Sequence, residues 1–342
     1  MIDRVERLPW PWVRRHGLKV RWFDKWDSNL DRALGELPES NDCPHELLTA
    51  MMRSPSGAKK CAALVMRGDR QTALIALRST GLLRWDVIGG GGVAPRFLAH
   101  ATDGDIFAAL SALGVNIHVA TQTLEPPQRW VRRVVAHPVH RIDLKSDFQA
   151  YWRQSGHLKT IRQARNRSQG FSFELDGEGA AEWTIRNWAT HWHDRETAGE
   201  EDLVLAARYF GRIGRFHTIR LMDGREPISG HTFLVEGGGL LAISTYTRPD
   251  YRQYKAGTRA LDMAFEWAAS AGFDRMDLGV GHDYKRRWAP VDGTRWSYDI
   301  RPWYLHASAV AMRSGLSAGR SVINAARAPF GVRRSGPAVD EL

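Results

Sequence analysis

Apolar and polar positions alternate through the run AALVMRGDRQTALIALR, which predicts two strands around the turn Gly68–Asp69, and LLRWDVIGG supplies a third. In GDIFAALSALG the spacing becomes helical, with Ile106, Ala109, Leu110 and Leu113 apolar and Gly114 as the stop. VNIHVATQT then returns to a strand. The same order recurs about 150 residues further on. FHTIRLMDGREPISGHTFLVEGGGLLAISTYT reads as three strands separated by the turns Asp223–Gly224 and Gly237–Gly239. GTRALDMAFEWAASAG reads as a helix burying Leu261, Ala264, Phe265, Ala268 and Ala269, and FDRMDLGVG as the next strand. Two blocks of strand-strand-strand-helix-strand predict a duplicated unit.

Between the blocks, YWRQSGHLKTIRQARNRSQG is a basic helical stretch, with Lys159, Arg162 and Asn166 near one face and Arg165 beside it. EWTIRNWATHWHD places Ile185, Trp188, Ala189 and Trp192 on one side of a helix. EEDLVLAARYFGRIG does the same with Leu203, Ala206, Ala207, Phe210 and Ile213. RWSYDIRPWYL alternates like a strand. From Ala307 the chain is rich in small and basic residues, with Arg313, Arg320, Arg327 and Arg334 at every seventh position. The expected division is a degenerate unit over 1–145, a second unit over 146–305, and a basic helix or tail over 306–342. The expected class is α/β (α+β), each unit having a mixed, mostly antiparallel central sheet flanked by helices.

Composition narrows the function classes. The chain has 342 residues, 43% hydrophobic, which is enough for a sizeable core and excludes global disorder. A net charge of +10 points to an acidic or phosphorylated partner, whether nucleic acid, a membrane face or a phosphate-bearing co-substrate. Two cysteines, Cys43 and Cys61, without paired spacing argue against a disulfide framework or a zinc knuckle. The start MIDRVERLPWPWVRRHG does not read as a secretory signal, and no apolar run reaches the ~18 residues of a spanning helix. The expectation is a cytoplasmic protein.

A strand followed by a loop and a helix start is a natural anion site, because unpaired backbone N–H groups and the helix dipole both favour negative charge. The second block has YRQYKAGTRALD there, which makes Arg252, Lys255, Ala256, Gly257, Thr258 and Arg259 the candidate cofactor-binding residues. The first block has Asp103 and Asp105 at the matching place, which would repel a pyrophosphate. The second copy is therefore the expected binding unit. Two further patterns carry no site. The His-x-His pair His191 and His193 points its rings in different directions on a helix, which suits one metal poorly. The run Gly89–Gly92 lacks the Lys-Ser/Thr of a P-loop.

The order of these motifs is similar to that of the GNAT acetyltransferase superfamily. It resembles most the branch of cellulose-biosynthesis CelD-type proteins, related to the FemAB-like transferases that carry two tandem GNAT units. The resemblance rests on LKTIRQARNR, LMDGREPISGHTFLV, YKAGTRAL and above all MDLGVGHDYKRRWA, and covers about Tyr151 to Pro302. It implies acyl-CoA binding at YKAGTRA, with the pyrophosphate on the N–H groups of Ala256 to Arg259 and the acceptor entering from the other side of the sheet. The glycine-rich GNAT signature (Gln/Arg-x-x-Gly-x-Gly/Ala) survives with one spacing or the other imperfect, as Arg252 or Gln253 with Gly257 and either Arg259 or Ala260.

Acyl transfer to an amine needs a neutral amine, a polarised carbonyl and a proton for the leaving thiolate. In such a fold the thioester would lie between the strands LLAISTYT and RMDLG. Tyr284 is then the candidate general acid, Asp277 the candidate base, and His231 the rival base. Lys285, Arg162 and Tyr246 are the candidate substrate-binding residues, Lys285 with Arg286 and Arg287 facing an acidic acceptor or the cofactor phosphates. The expected activity is N-acyl transfer, acetyl-CoA or another acyl-CoA being co-substrate to a small amine or amino sugar, in a ternary complex without a metal. Two alternatives stand beside it. One is aminoacyl transfer from charged tRNA, with the helix Lys159–Arg167 as the RNA contact; the other is a non-catalytic basic binding protein.

Overall fold

The computed structural model describes residues 18–23, 27–35, 44–54, 59–68, 70–81, 84–88, 110–111, 113, 116–122, 131–144, 147–192, 199–280 and 283–300. The elements in chain order are β1 (Leu18–Phe23), α1 (Ser28–Gly35), α2 (His45–Arg53), β2 (Lys60–Arg67), β3 (Arg70–Gly81), β4 (Arg84–Val87), β5 (Asn116–Gln122) and β6 (Val131–Asp143). They continue with α3 (Phe148–Gln154), α4 (Leu158–Arg167), β7 (Ser172–Leu175), α5 (Ala180–Trp192), α6 (Glu200–Arg212), β8 (Phe216–Asp223), β9 (Glu226–Glu236) and β10 (Gly239–Thr247). The last are α7 (Ala256–Ser270), β11 (Arg275–Val280) and β12 (Val291–Ile300), with 3-10 turns at Pro249–Tyr254 and Asp283–Arg287. The expected helix over 104–114 lies largely outside the described residues, as do Asp103, Asp105, His193, Gly89–Gly92 and the tail 306–342.

The twelve strands among the described residues form one sheet, ordered β1-β2-β3-β4-β5-β12-β6-β11-β10-β9-β8-β7. Its two halves repeat one topology. An antiparallel meander, β2-β3-β4 or β8-β9-β10, is followed by a parallel partner, β5 or β11. Each half then takes its next strand from the other end of the chain. β12 pairs with β5, and β6 pairs with β11. β6 and β12 also pair with each other at the centre. The two halves thus share one strand order, and β6 and β12 interleave them at the centre.

Burial explains which residues build these elements. On one face of the second half, α3, α4 and α7 cover Ile219, Phe233, Leu240 and Met276 with Trp152, Ile161, Leu261 and Phe265. Leu261, Ala264, Phe265 and Ala268 are buried, as the helical spacing predicted; Ala269 is only partly covered. The other face carries α5 and α6. Their Ile185, Val204, Ala206 and Phe210 join Phe216 and Leu234 to Leu30, Leu47, Met51, Leu64 and Leu74 of the first half in one core. α5 approaches closely because Gly230 lacks a side chain: a Cβ there would lie 2.3 Å from Thr184 Oγ1. The basic stretch 151–170 holds most of α3 and all of α4, broken at Gly156, whose φ of +75° stops the first helix.

Lys60, Arg78 and Asp202 tie the halves together. Asp202, 4% exposed in its side chain, meets Lys60 Nζ at 3.0 Å and Arg78 Nη1 at 2.8 Å. Burial pushes its carboxyl up from the ordinary aspartate value, and the two cations oppose that.

Candidate active site

β10 and β11 run parallel but hydrogen-bond only briefly, at Leu240–Met276 and Leu241–Asp277. Beyond that pair they part, for two local reasons. β10 is bulged between Ala242 and Ser244, with Ser244 N–H donating to Thr232 Oγ1 at 3.0 Å. β11 shifts register between Asp277 and Val280, where Gly279 takes φ +73°, a conformation that favours glycine. The turn Asp283–Arg287 brings Lys285 back to this opening. Its Nζ lies 3.5 Å, and Ala242 O 3.2 Å, from where a Cβ on Gly279 would sit. Burial pushes the Lys285 ammonium down to about 8, with the charge of Asp277 resisting that shift. Tyr284 stands next to it with 36% of its surface exposed, and desolvation raises its hydroxyl to about 12. The phenol therefore holds its proton at neutral pH.

The start of α7 lies one connection beyond β10. Lys255 adopts φ +56°, a left-handed residue that turns the chain sharply into the helix. Arg259 N–H is the first to be taken, by Lys255 O at 3.0 Å. The N–H groups of Ala256, Gly257 and Thr258 have no acceptor among the described residues, as helix geometry dictates for a first turn. Gly257 sits against β10, so close that a Cβ would lie 2.5 Å from Thr247 Oγ1. His231 on β9 faces the same turn, its Nε2 3.3 Å from Gly257 O. Burial lowers its pKa to about 4, so the ring is neutral and donates this bond through Nε2–H. His231 therefore holds the helix start rather than presenting a strong base.

The cations expected at this turn have protein partners. Arg259 pairs with Asp262 at 2.6 Å, and Arg165 of α4 clasps the same carboxylate twice at 2.8 Å. Lys255 Nζ donates to Gln163 Oε1 at 2.7 Å, and Arg252 Nη2 lies 3.1 Å from His191 Nε2. The residues fit an anion through the backbone N–H groups, with the side chains bracing the turn. Arg162 is exposed on α4 and has no ion pair among the described residues.

Asp277 is committed. Its Oδ1 accepts Gly279 N–H at 2.7 Å; its Oδ2 faces Arg295 Nη2 at 3.2 Å and Arg141 Nε at 3.4 Å. That arrangement fixes the bend of β11 and gives the carboxylate three protein partners. Arg141 and Arg295 were not read as site residues. Arg141 lies on β6, where Pro138 and scattered charges hide the strand; Arg295 lies on an expected strand, but only the sheet order sets it beside Asp277. Tyr246 occupies the α5 side, its ring 5.5 Å from Trp183 and 5.9 Å from His191, both edge-on. Among the described residues no group of acidic, histidine and cysteine side chains is placed to hold a metal ion. None of their helices is long and apolar enough to cross a membrane.

The parted parallel pair and the helix start with open N–H groups lie within one segment, residues 240–285. Residues 155–286 match the family described as acetyltransferase (GNAT) domain. Over 110 residues it is 34% identical to an aspartate/glutamate leucyltransferase of Stenotrophomonas maltophilia (strain R551-3), a match covering 27% of this chain and 41% of that one. The chain thus spans about two fifths of the length of the curated relative it matches. Among solved structures, L-PGS from Bacillus licheniformis superposes with a TM-score of 0.50 at 12% identity, covering 82% of this chain and 93% of that one. A tandem GNAT protein from the clavulanic acid biosynthesis pathway gives 0.47 at 11%, covering 82% and 97%. The likeness to L-PGS shows the fold.

Proposed function

We propose that the protein is an N-acyltransferase that takes its acyl group from an acyl-CoA, acetyl-CoA being the simplest, and passes it directly to an amine in a ternary complex. The carrying observation is the opening beyond Leu241 and Asp277, bounded by Lys285 and flanked by the free N–H groups of Ala256, Gly257 and Thr258. The donor supplies an activated carbonyl and a thiolate leaving group. Backbone N–H groups at the start of α7 bind its pyrophosphate, and the helix dipole adds to that attraction. Lys285, charged below about pH 8, faces the negative charge that develops on the carbonyl oxygen. Tyr284, protonated at neutral pH, donates to the departing sulfur. The amine arrives neutral or loses its proton to water, since Asp277 and His231 are both engaged.

A second reading has an observation of its own. The likeness to a leucyltransferase supports an aminoacyl donor, with charged tRNA carried by the exposed Lys159, Arg162 and Arg167 of α4. Calorimetry separates the two. The acyl-CoA reading expects micromolar binding of acetyl-CoA, absent in Gly257→Asp, and no preference for leucyl-tRNA over uncharged tRNA. Binding of leucyl-tRNA with none of acetyl-CoA or desulfo-CoA reverses the order.

A further inference from the structure

Beneath the point where β10 and β11 part lies a cleft of about 170 Å³, bordered by Arg141, Glu236, Leu241, Arg275, Asp277 and Arg295. Directly paired strand residues share a face of the sheet. Leu241 pairs with Leu234 and with Asp277, and Asp277 with Arg141; Leu234 belongs to the core under α5 and α6. These side chains therefore lie opposite α7, on the side of the sheet away from the proposed donor turn.

Three guanidinium groups meet two carboxylates there. Asp277 is fully engaged, as described above. Arg295 is 7% exposed; its Nη2 is shared between Glu236 and Asp277, both at 3.2 Å, and its buried Nε has no partner. Arg141 also reaches Asp292 at 3.7 Å, a side chain 66% exposed on the solvent side. Arg275 is exposed, makes no ion pair among the described residues, and lies across Gly239, where a Cβ would meet its Cγ at 2.6 Å. A buried guanidinium N–H without an acceptor is unfavourable, and an anionic oxygen relieves it.

We propose that this cleft is a carboxylate subsite for the acceptor, so that the amine to be acylated belongs to a molecule carrying a carboxylate. The proposal rests on the acyl-transfer reading and names its acceptor class. The lining has one positive charge in excess, which a carboxylate neutralises. A phosphate dianion would overcompensate it beside Asp277 and Glu236. From Asp277 to Gly279 and the opening is two strand residues, about 7 Å. An amine held by its carboxylate in the cleft reaches that far with a short spacer, as in a β- or γ-amino acid.

The test is binding to the full chain without donor. Calorimetry compares β-alanine and 4-aminobutyrate with their carboxamides and with phosphoethanolamine, on wild type, Arg275→Gln and Leu241→Phe. The expected result is carboxylates binding about tenfold tighter than amides, the difference one charge-assisted hydrogen bond makes. Arg275→Gln loses most of that preference while keeping its melting temperature, and Leu241→Phe fills the cleft without removing a charge. Should Leu241→Phe not fold, Arg275→Gln alone decides. Equal binding of amide and carboxylate, tighter phosphoethanolamine, no binding at all, or an unchanged Arg275→Gln overturns the subsite. A separate acetyl-CoA titration tells this failure from failure of the donor reading: donor binding without carboxylate preference sinks only the subsite, and the converse only the donor.

Discussion

Gly257 and Thr247 are packed backbone to side chain: the space for a Cβ on Gly257 is already occupied by Thr247 Oγ1, 2.5 Å away. Thr247 is in turn held by Ser229 through a 2.9 Å hydroxyl contact, so it cannot simply rotate aside. Gly257→Ala is expected to cost about 1–3 kcal/mol from overpacking, read by urea denaturation. Acyl-CoA binding should weaken with it, because the three free N–H groups move with the turn. An alanine variant of wild-type stability and donor affinity would show that the contact does not set the helix start.

His231 makes stability depend on acidity. The folded ring resists protonation down to about 4, whereas the unfolded ring takes a proton near 6.5. Between those values the unfolded state binds more protons, so stability falls as pH falls from 6.5 to 4. The shift corresponds to about 3 kcal/mol at the acid end. His231→Gln should flatten that slope in denaturation curves taken at pH 7, 5.5 and 4.

Lys285 should govern turnover more than binding. Lys285→Met is expected to lower kcat by about 10²–10³-fold, as for loss of one oxyanion donor, with acetyl-CoA affinity little changed. In wild type, activity should decline as pH rises through about 8 and the ammonium loses its proton. Lys285→Arg, charged at every accessible pH, should lack that decline. A wild-type profile flat across this range would remove Lys285 from the reaction.

Asp202 should be indispensable to the docking of the two halves. Removing it leaves Lys60 and Arg78 facing each other without their carboxylate, and Lys60 Nζ is 6% exposed with its chain. Asp202→Ala is expected to cost about 3–5 kcal/mol in chemical denaturation. Replacing all three by apolar residues of similar volume should recover much of it.

The alternation of FHTIRLM through LLAISTYT and the helical spacing of GTRALDMAFEWAAS were enough to place β8, β9, β10 and α7, because each buries one regular face against one layer. The glycine and basic residues before α7 marked the turn proposed to bind an anion for the same local reason. β6 escaped notice: thirteen residues long, it carries charges and Pro138, and it is a strand because β11 and β12 supply ladders on both sides. Asp277 looked like a free acid, since nothing near it in the chain foretells Arg141 and Arg295. Those two arrive from strands that sequence separates by more than a hundred residues and the sheet sets side by side. By itself, then, the sequence determined the order of the strands and helices, the helix faces and the place of the proposed anion turn, all set by periodicity and local backbone chemistry. Which charges face the opening, and which are already neutralised, only the tertiary structure decided, because electrostatic partners are fixed by distance in space and not along the chain.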